Sequence, residues 1–381
     1  MESVGRVAVL GAGPGAGAAA LELARRGVRT TLYRPARPGE KPCGGALPSY
    51  LLDELDGFAS GGVPSVRVDR ARLENASGSV LELDLRGLRI FRRADFDTGL
   101  VAAAASADAE VVPEKAERLS WRDGRPVVHS DSGPRAFDWV VGADGARGLS
   151  RRSLGLGPVG ESVGLGASID GVHADRLTLV FPDLADAYLW IFPRPGGCSV
   201  GIAYSPDRLS TGAARCCLDD FLRRHLGLAL GDIDGGRYRY PIPVYGPWVA
   251  PSLEAARERR VLLVGDAAAL ADPLTREGIR YAVRSGRWAA EAIAGERPEE
   301  YPDRVRAEID RDLARAHAAR ASFFDDPVGQ WMVPVCKRHT GIRRVLEDLL
   351  TCAQPYEGLR RRLLAAGVGL GRAREPRPQA P

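Results

Sequence analysis

A short β run from Arg6 to Leu10 ends in Gly11-Ala12-Gly13-Pro14-Gly15-Ala16, and helical composition follows from Ala18 to Arg26, with Gly27 as a stop. Gly11 permits a tight turn, Gly13 lets backbone approach a pyrophosphate, and Ala16 is small enough for close helix-on-strand packing. A diphosphate beside Gly15 would meet the unpaired N–H groups and positive dipole end of a helix N-terminus. Thr30 to Tyr33 reads as the next parallel strand and completes a βαβ unit. The start of the chain is therefore committed to a Rossmann-type dinucleotide fold. The loop alone does not choose between a flavin and a nicotinamide dinucleotide.

At 381 residues the chain is long for one core, which suggests two or three packed lobes. No apolar run reaches the roughly 18 residues of a membrane span, and no signal-peptide pattern opens the chain, so a soluble or peripheral cytoplasmic protein is expected. The net charge of +4 is modest and rests on Arg, since Lys occurs only at 41, 115 and 337. That is compositional bias and not a nucleic-acid surface. The six cysteines and five histidines are scattered without ligand spacing, which argues against a disulfide framework and against a metal site.

After the βαβ unit, Pro35 to Gly45 is turn-rich, Ala94 to Ala107 looks helical, and short strands at 110–112, 118–121 and 126–130 lead to Trp139-Val140-Val141. Longer β runs follow at Leu177 to Phe181, Tyr188 to Phe192 and Ser199 to Tyr204, with a helix around Ala213 to His225. Arg260 to Val264 returns to the first lobe as a strand, and Glu277 to Ala294 follows as a helix. The fold class is α/β with α+β character, divided into a discontinuous dinucleotide lobe (1–160 and 255–298), an antiparallel-sheet substrate lobe (161–254), a helical region (299–370) and a disordered Arg/Pro-rich tail (371–381).

Four further motifs carry chemistry. Lys41-Pro42-Cys43-Gly44-Gly45 puts a thiol in a glycine-rich turn, Gly142-Ala143-Asp144-Gly145 ends a strand, and Gly265-Asp266-Ala267-Ala268 leads into Asp272-Pro273-Leu274-Thr275-Arg276-Glu277-Gly278-Ile279. Between these lies Tyr188-Leu189-Trp190-Ile191-Phe192-Pro193, whose alternation puts three aromatics on one face. In that order, over roughly residues 4 to 295, they resemble the geranylgeranyl reductase family of FAD-dependent oxidoreductases.

The resemblance implies that FAD is held by Gly11, Gly13, Gly15, Ala16, Gly44, Asp144, Gly145 and Gly265, with Asp266 on the ribitol. Backbone at Pro273, Glu277, Gly278 and Ile279 would lie near the isoalloxazine ring, and a helix start there would favour the anionic edge of reduced flavin. Arg93 matches a basic cofactor-holding position, although a solvated arginine fits the residue alone. Cys43 matches the active-site cysteine, where it would supply or relay a proton during alkene reduction; a small buried hydrophobe is the plain alternative. Tyr188, Trp190 and Phe192 would line a tunnel for a prenyl lipid, prenylquinone or prenyl diphosphate, with NADPH or ferredoxin as electron donor and no nucleic-acid partner. Without the resemblance they read as core.

Two positions depart from the family. Arg34 stands where an acidic residue accepts the adenosine ribose hydroxyls; arginine has only donors and suits a 2′-phosphate instead. Arg276 replaces a small residue. These departures keep open a catalytically silent lipid-binding protein, and the shared fold keeps open a flavin monooxygenase or halogenase. Near the C-terminus Ile342, Val345, Leu346, Leu349 and Leu350 recur at helix spacing beside Arg360-Arg361-Arg362, as either core packing or a face toward an anionic bilayer.

Overall fold

A computed structural model describes residues 5–367, apart from 38, 56–57, 59–61, 158 and 325–327. The tail expected to be disordered lies outside the described residues. Helix Pro14–Arg25 starts at the glycine loop, between strands Arg6–Leu10 and Arg29–Tyr33. These strands belong to a five-stranded parallel sheet, which runs 261–263, 139–142, 6–10, 29–33, 110–112 in space. The sheet is thus assembled from distant segments, as the returning strand at Val261–Leu263 requires.

Helix Pro14–Arg25 packs between helices Arg93–Ser106 and Ile279–Ala294. Glycine makes both approaches possible. A Cβ on Gly17 would lie 2.5 Å from Leu100 Cβ, and one on Gly286 would lie 2.4 Å from the Gly15 carbonyl oxygen.

The second sheet has eight strands, in the order 237–243, 161–170, 197–204, 187–194, 177–181, 65–75, 80–91, 46–48, antiparallel except where 177–181 meets 65–75. Here the structure corrects the sequence reading, which assigns all of 1–160 to the dinucleotide lobe. Residues 46–91 supply three strands of the second sheet. Their signal is plain in Leu81, Leu83 and Leu85, which alternate with Glu82 and Asp84.

Each face of this sheet has its own cover. Leu189, Ile191, Val200 and Ile202 pack against helix Thr211–Leu226, whose Ser210 cap accepts a hydrogen bond from Ala213 N at 3.2 Å. The opposite face, with Leu73, Leu83, Leu88, Trp190 and Ala203, is covered by helices Val328–Arg338 and Thr340–Leu350 through Val333, Cys336, Ile342, Leu346 and Leu350. A three-stranded antiparallel sheet at 118–136 completes the fold. No described helix is long and apolar enough to cross a membrane.

Candidate active site

A cavity of 1380 Å³ runs from the glycine loop, past Cys43, to the C-terminal helices. Its polar end is lined by Gly11, Gly13, Gly15, Arg34, Arg93, Asp144, Gly145, Gly265, Asp266, Glu277, Gly278 and Ile279. Ala16 and Pro273 do not reach it; Ala16 is fully buried in the core beside the loop, so its part is the packing of helix on strand.

The polar end fits a flavin dinucleotide. A Cβ on Gly13 would find its nearest atom, Arg93 Nη2, at 3.9 Å, so the loop backbone faces open space. Helices Pro14–Arg25 and Ile279–Ala294 both begin at cavity-lining residues, and neither has a side-chain cap. In the second helix Arg280 N donates to Glu277 Oε1 at 2.7 Å; the remaining first-turn N–H groups and the two helix dipoles would suit anionic parts of a bound flavin dinucleotide.

Asp144 and Asp266 occupy different settings. Ser150 N donates to Asp144 Oδ2 at 2.8 Å, so Asp144 anchors the start of helix Leu149–Ser153, and burial raises its carboxyl pKa above the usual value. Asp266 sits in a short turn after the Val261–Leu263 strand and pairs with Lys41 Nζ. Burial works against the Lys41 charge, but Asp266 outweighs it and holds the ammonium pKa above its ordinary value. Lys41 also lies 5.4 Å from the Tyr240 ring centroid. Arg34, at the end of its strand, donates from Nε to Pro35 O at 3.4 Å.

The turn carrying Cys43 is held from several sides. Glu40 accepts from Arg194 Nη1 at 3.0 Å and from Arg93 N at 3.2 Å. Trp190 Nε1 donates to Ser199 Oγ, which donates in turn to Cys43 O, each at 3.3 Å. A Cβ on Gly44 would meet the Phe192 ring at 2.3 Å, and one on Gly45, at φ +74°, would meet Phe91 O at 2.1 Å. Cys43 Sγ accepts a hydrogen bond from Gly45 N at 3.3 Å. Arg93, 2% exposed and ion-paired with Asp97 at 2.8 Å, lies within electrostatic reach of Cys43.

Beyond Cys43 the lining turns apolar. Tyr188, Trp190 and Phe192 share one face, with neighbouring ring centroids 6.3 and 6.5 Å apart. They stand opposite Ala203, Gly201 and Ser199, and a Cβ on Gly201 would lie 2.5 Å from the Trp190 ring. Leu73, Leu88, Leu177, Leu179 and Phe181 continue this wall, and Met332, Val335, Ile342, Val345, Leu346 and Leu349 form the facing one.

A geranylgeranyl diphosphate reductase, chloroplastic, from Oryza sativa subsp. japonica is 32% identical over 352 residues, covering 80% of this chain and 71% of that protein. The chain belongs to the geranylgeranyl reductase family. It is an FAD-dependent oxidoreductase by that membership and by the fit of the polar end. The fold is shared with a geranylgeranyl bacteriochlorophyll reductase-like protein of Thermoplasma acidophilum (TM-score 0.74, 22% identity, 96% of this chain and 100% of that one). A flavin-dependent brominase is similar at TM-score 0.68 and 17% identity, over 92% of this chain and 94% of that one. No family model matches the chain.

Within this family site, sequence reasoning missed the Lys41–Asp266 pair, the polar group around Asp272, Cys352 and Tyr356, and the helical wall. Asp272 accepts from Leu274 N, Thr275 N and Tyr356 OH at 2.8, 3.0 and 2.8 Å, tying the 272–278 loop to the C-terminal region. The Ile342 to Leu350 stripe was the available signal for the wall. It packs on the sheet and lines the cavity, so it is neither closed core nor a free surface.

Proposed function

We propose that this protein saturates C=C bonds of an isoprenoid chain lying along the aromatic face and the C-terminal helices. The observation that carries the reading is continuity: one cavity joins the flavin-fitting end to an apolar arm, with Cys43 lining it. FAD bound at the polar end supplies hydride. The chain's own residues exclude water and place the proton. Cys43 donates that proton to the second alkene carbon, and the Gly45 N–H that faces its sulfur stabilises the thiolate left behind.

The substrate class is a prenyl lipid, prenylquinone or prenyl diphosphate, with NADPH or ferredoxin restoring the flavin. Access to the apolar arm is through the C-terminal helices, where Trp331 and Leu364 are 66% and 71% exposed and Lys337, Arg338, Arg360 and Arg361 are exposed. Such a rim suits peripheral contact with an anionic membrane. The test is anaerobic single turnover: prereduced protein mixed with a geranylgeranyl substrate should reoxidise as the product gains two hydrogens per bond. Reoxidation that needs oxygen, or a hydroxylated or halogenated product, would overturn the reading.

A further inference from the structure

The Arg276 side chain is 1% exposed, lines the cavity, and donates from Nη2 to Asp186 Oδ1 at 2.5 Å and to Asp186 O at 3.0 Å. Its guanidinium lies 5.1 Å from the Tyr188 ring centroid and 4.9 Å from that of Phe324. The other carboxylate oxygen, Asp186 Oδ2, accepts from Arg320 Nε at 3.0 Å and Nη2 at 2.5 Å. Two guanidinium ions therefore share one carboxylate.

With Arg280, Glu277 and Asp272 counted, three guanidinium ions meet three carboxylates, so the cluster is neutral as a whole and what is unmet at Arg276 is its hydrogen bonding. Asp272 is occupied by two backbone N–H groups and Tyr356, and Glu277 faces Arg280 at 3.6 Å. Nε and Nη1 of Arg276 are buried and have no hydrogen-bond partner. A buried guanidinium that lines the cavity with two unused donors is an incompletely satisfied polar group, open to an acceptor from a ligand.

We infer that Arg276, supported by Arg320, binds the phosphate or diphosphate head group of an anionic prenyl substrate. The inference rests on the prenyl-reductase reading and narrows its substrate class to phosphorylated compounds. Two features favour phosphate. A guanidinium matches its oxygens in plane, and the ring faces of Tyr188 and Phe324 keep that plane fixed. Tyr188 also begins the aromatic face, so a head group at Arg276 leaves the chain beside the apolar arm.

The experiment titrates FAD-loaded protein calorimetrically with inorganic diphosphate, geranylgeranyl diphosphate, geranylgeraniol and a diprenyl glycerophosphate in detergent. Wild type should bind geranylgeranyl diphosphate more tightly than the alcohol. Arg276→Gln should weaken the diphosphate about 10- to 100-fold, the scale of a lost charge-assisted hydrogen bond, and leave the alcohol within about twofold. Arg276→Lys should recover part of the loss. Arg320→Gln, which leaves Arg276 and Asp186 balanced, should weaken the diphosphate by a smaller factor and carries the test if Arg276→Gln does not fold.

An equal response of the glycerophosphate would extend the site to lipid phosphates; a response of geranylgeranyl diphosphate without the glycerophosphate would confine it to prenyl diphosphates. No preference for the anionic compound in wild type, or equal losses for diphosphate and alcohol in Arg276→Gln, would overturn the inference while leaving the prenyl reading intact. Arg276-dependent binding of inorganic diphosphate with no binding of any prenyl compound would overturn the prenyl reading and, with it, the prenyl head group, leaving Arg276 as an anion site.

Discussion

Cys43, whose sulfur accepts from Gly45 N at 3.3 Å, stands where the polar and apolar parts of the cavity join. Cys43→Ala should keep FAD and accept electrons but lose alkene reduction by about 100-fold, the scale of a removed general acid, and Ser should rescue poorly because its hydroxyl is a weaker acid. Single-turnover reoxidation measures the step, and an unchanged rate would remove Cys43 from the chemistry. Glu277 makes a second residue-level case. Burial, partly countered by Arg280, pushes its carboxyl above the ordinary value of 4.5. The folded state therefore binds more protons than the unfolded one between those two values, so this group's contribution to stability falls as pH rises through them. Glu277→Gln should flatten that part of the stability profile in thermal melts from about pH 4 to about pH 8, and identical slopes would contradict it. Asp266→Ala should cut FAD occupancy while freeing Lys41; flavin absorbance per protein decides.

Helix contacts show how elements set the site. Helix Ile279–Ala294 both begins at the cavity-lining 272–278 loop and crosses the first helix at Gly15 and Gly286. Gly286→Ala should force the helices apart and destabilise the protein by about 1–3 kcal/mol, as overpacked cores do. Its denaturation midpoint should drop, and FAD occupancy should fall with it because Gly15 belongs to the loop. A midpoint equal to wild type would show that the two helices can slide without loss. The same close-approach logic explains strand 197–204, where Gly201 leaves room for the Trp190 ring on the neighbouring strand.

Across the whole molecule, the eight-stranded sheet is sealed by helix Thr211–Leu226 on one face and holds the apolar arm against the C-terminal helices on the other. Narrowing that arm tests the assignment without touching the flavin end. Leu346→Trp should raise KM for a geranylgeranyl substrate by about tenfold and spare a shorter prenyl chain, with FAD occupancy unchanged, because bulk added to a packed apolar wall must displace either neighbours or ligand. Equal effects on long and short chains would place the substrate elsewhere. The exposed basic and apolar rim predicts binding to anionic liposomes that weakens with salt in sedimentation. Absence of association at low salt would exclude membrane delivery.

Local chemistry made much of this protein legible in its sequence. The glycine loop, the returning strand before Gly265-Asp266 and the period-2 aromatics depend on near neighbours and backbone sterics, so residue type and spacing suffice to read them. Arg34 was legible as a departure for the same reason. Tertiary structure decided what depends on residues far apart in the chain. It put strands 65–75 and 80–91 into the second sheet, turned Asp144 into a helix anchor, joined Lys41 to Asp266 across 225 positions, and made the Ile342 to Leu350 stripe a cavity wall. A helical stripe looks the same in sequence whether it meets a sheet, a lipid or a cavity, because amphipathicity records that a face is apolar and not what lies opposite. Arg276 shows the same limit: sequence marks an unusual charge, and only the fold brings Asp186, Arg320, Tyr188 and Phe324 around it.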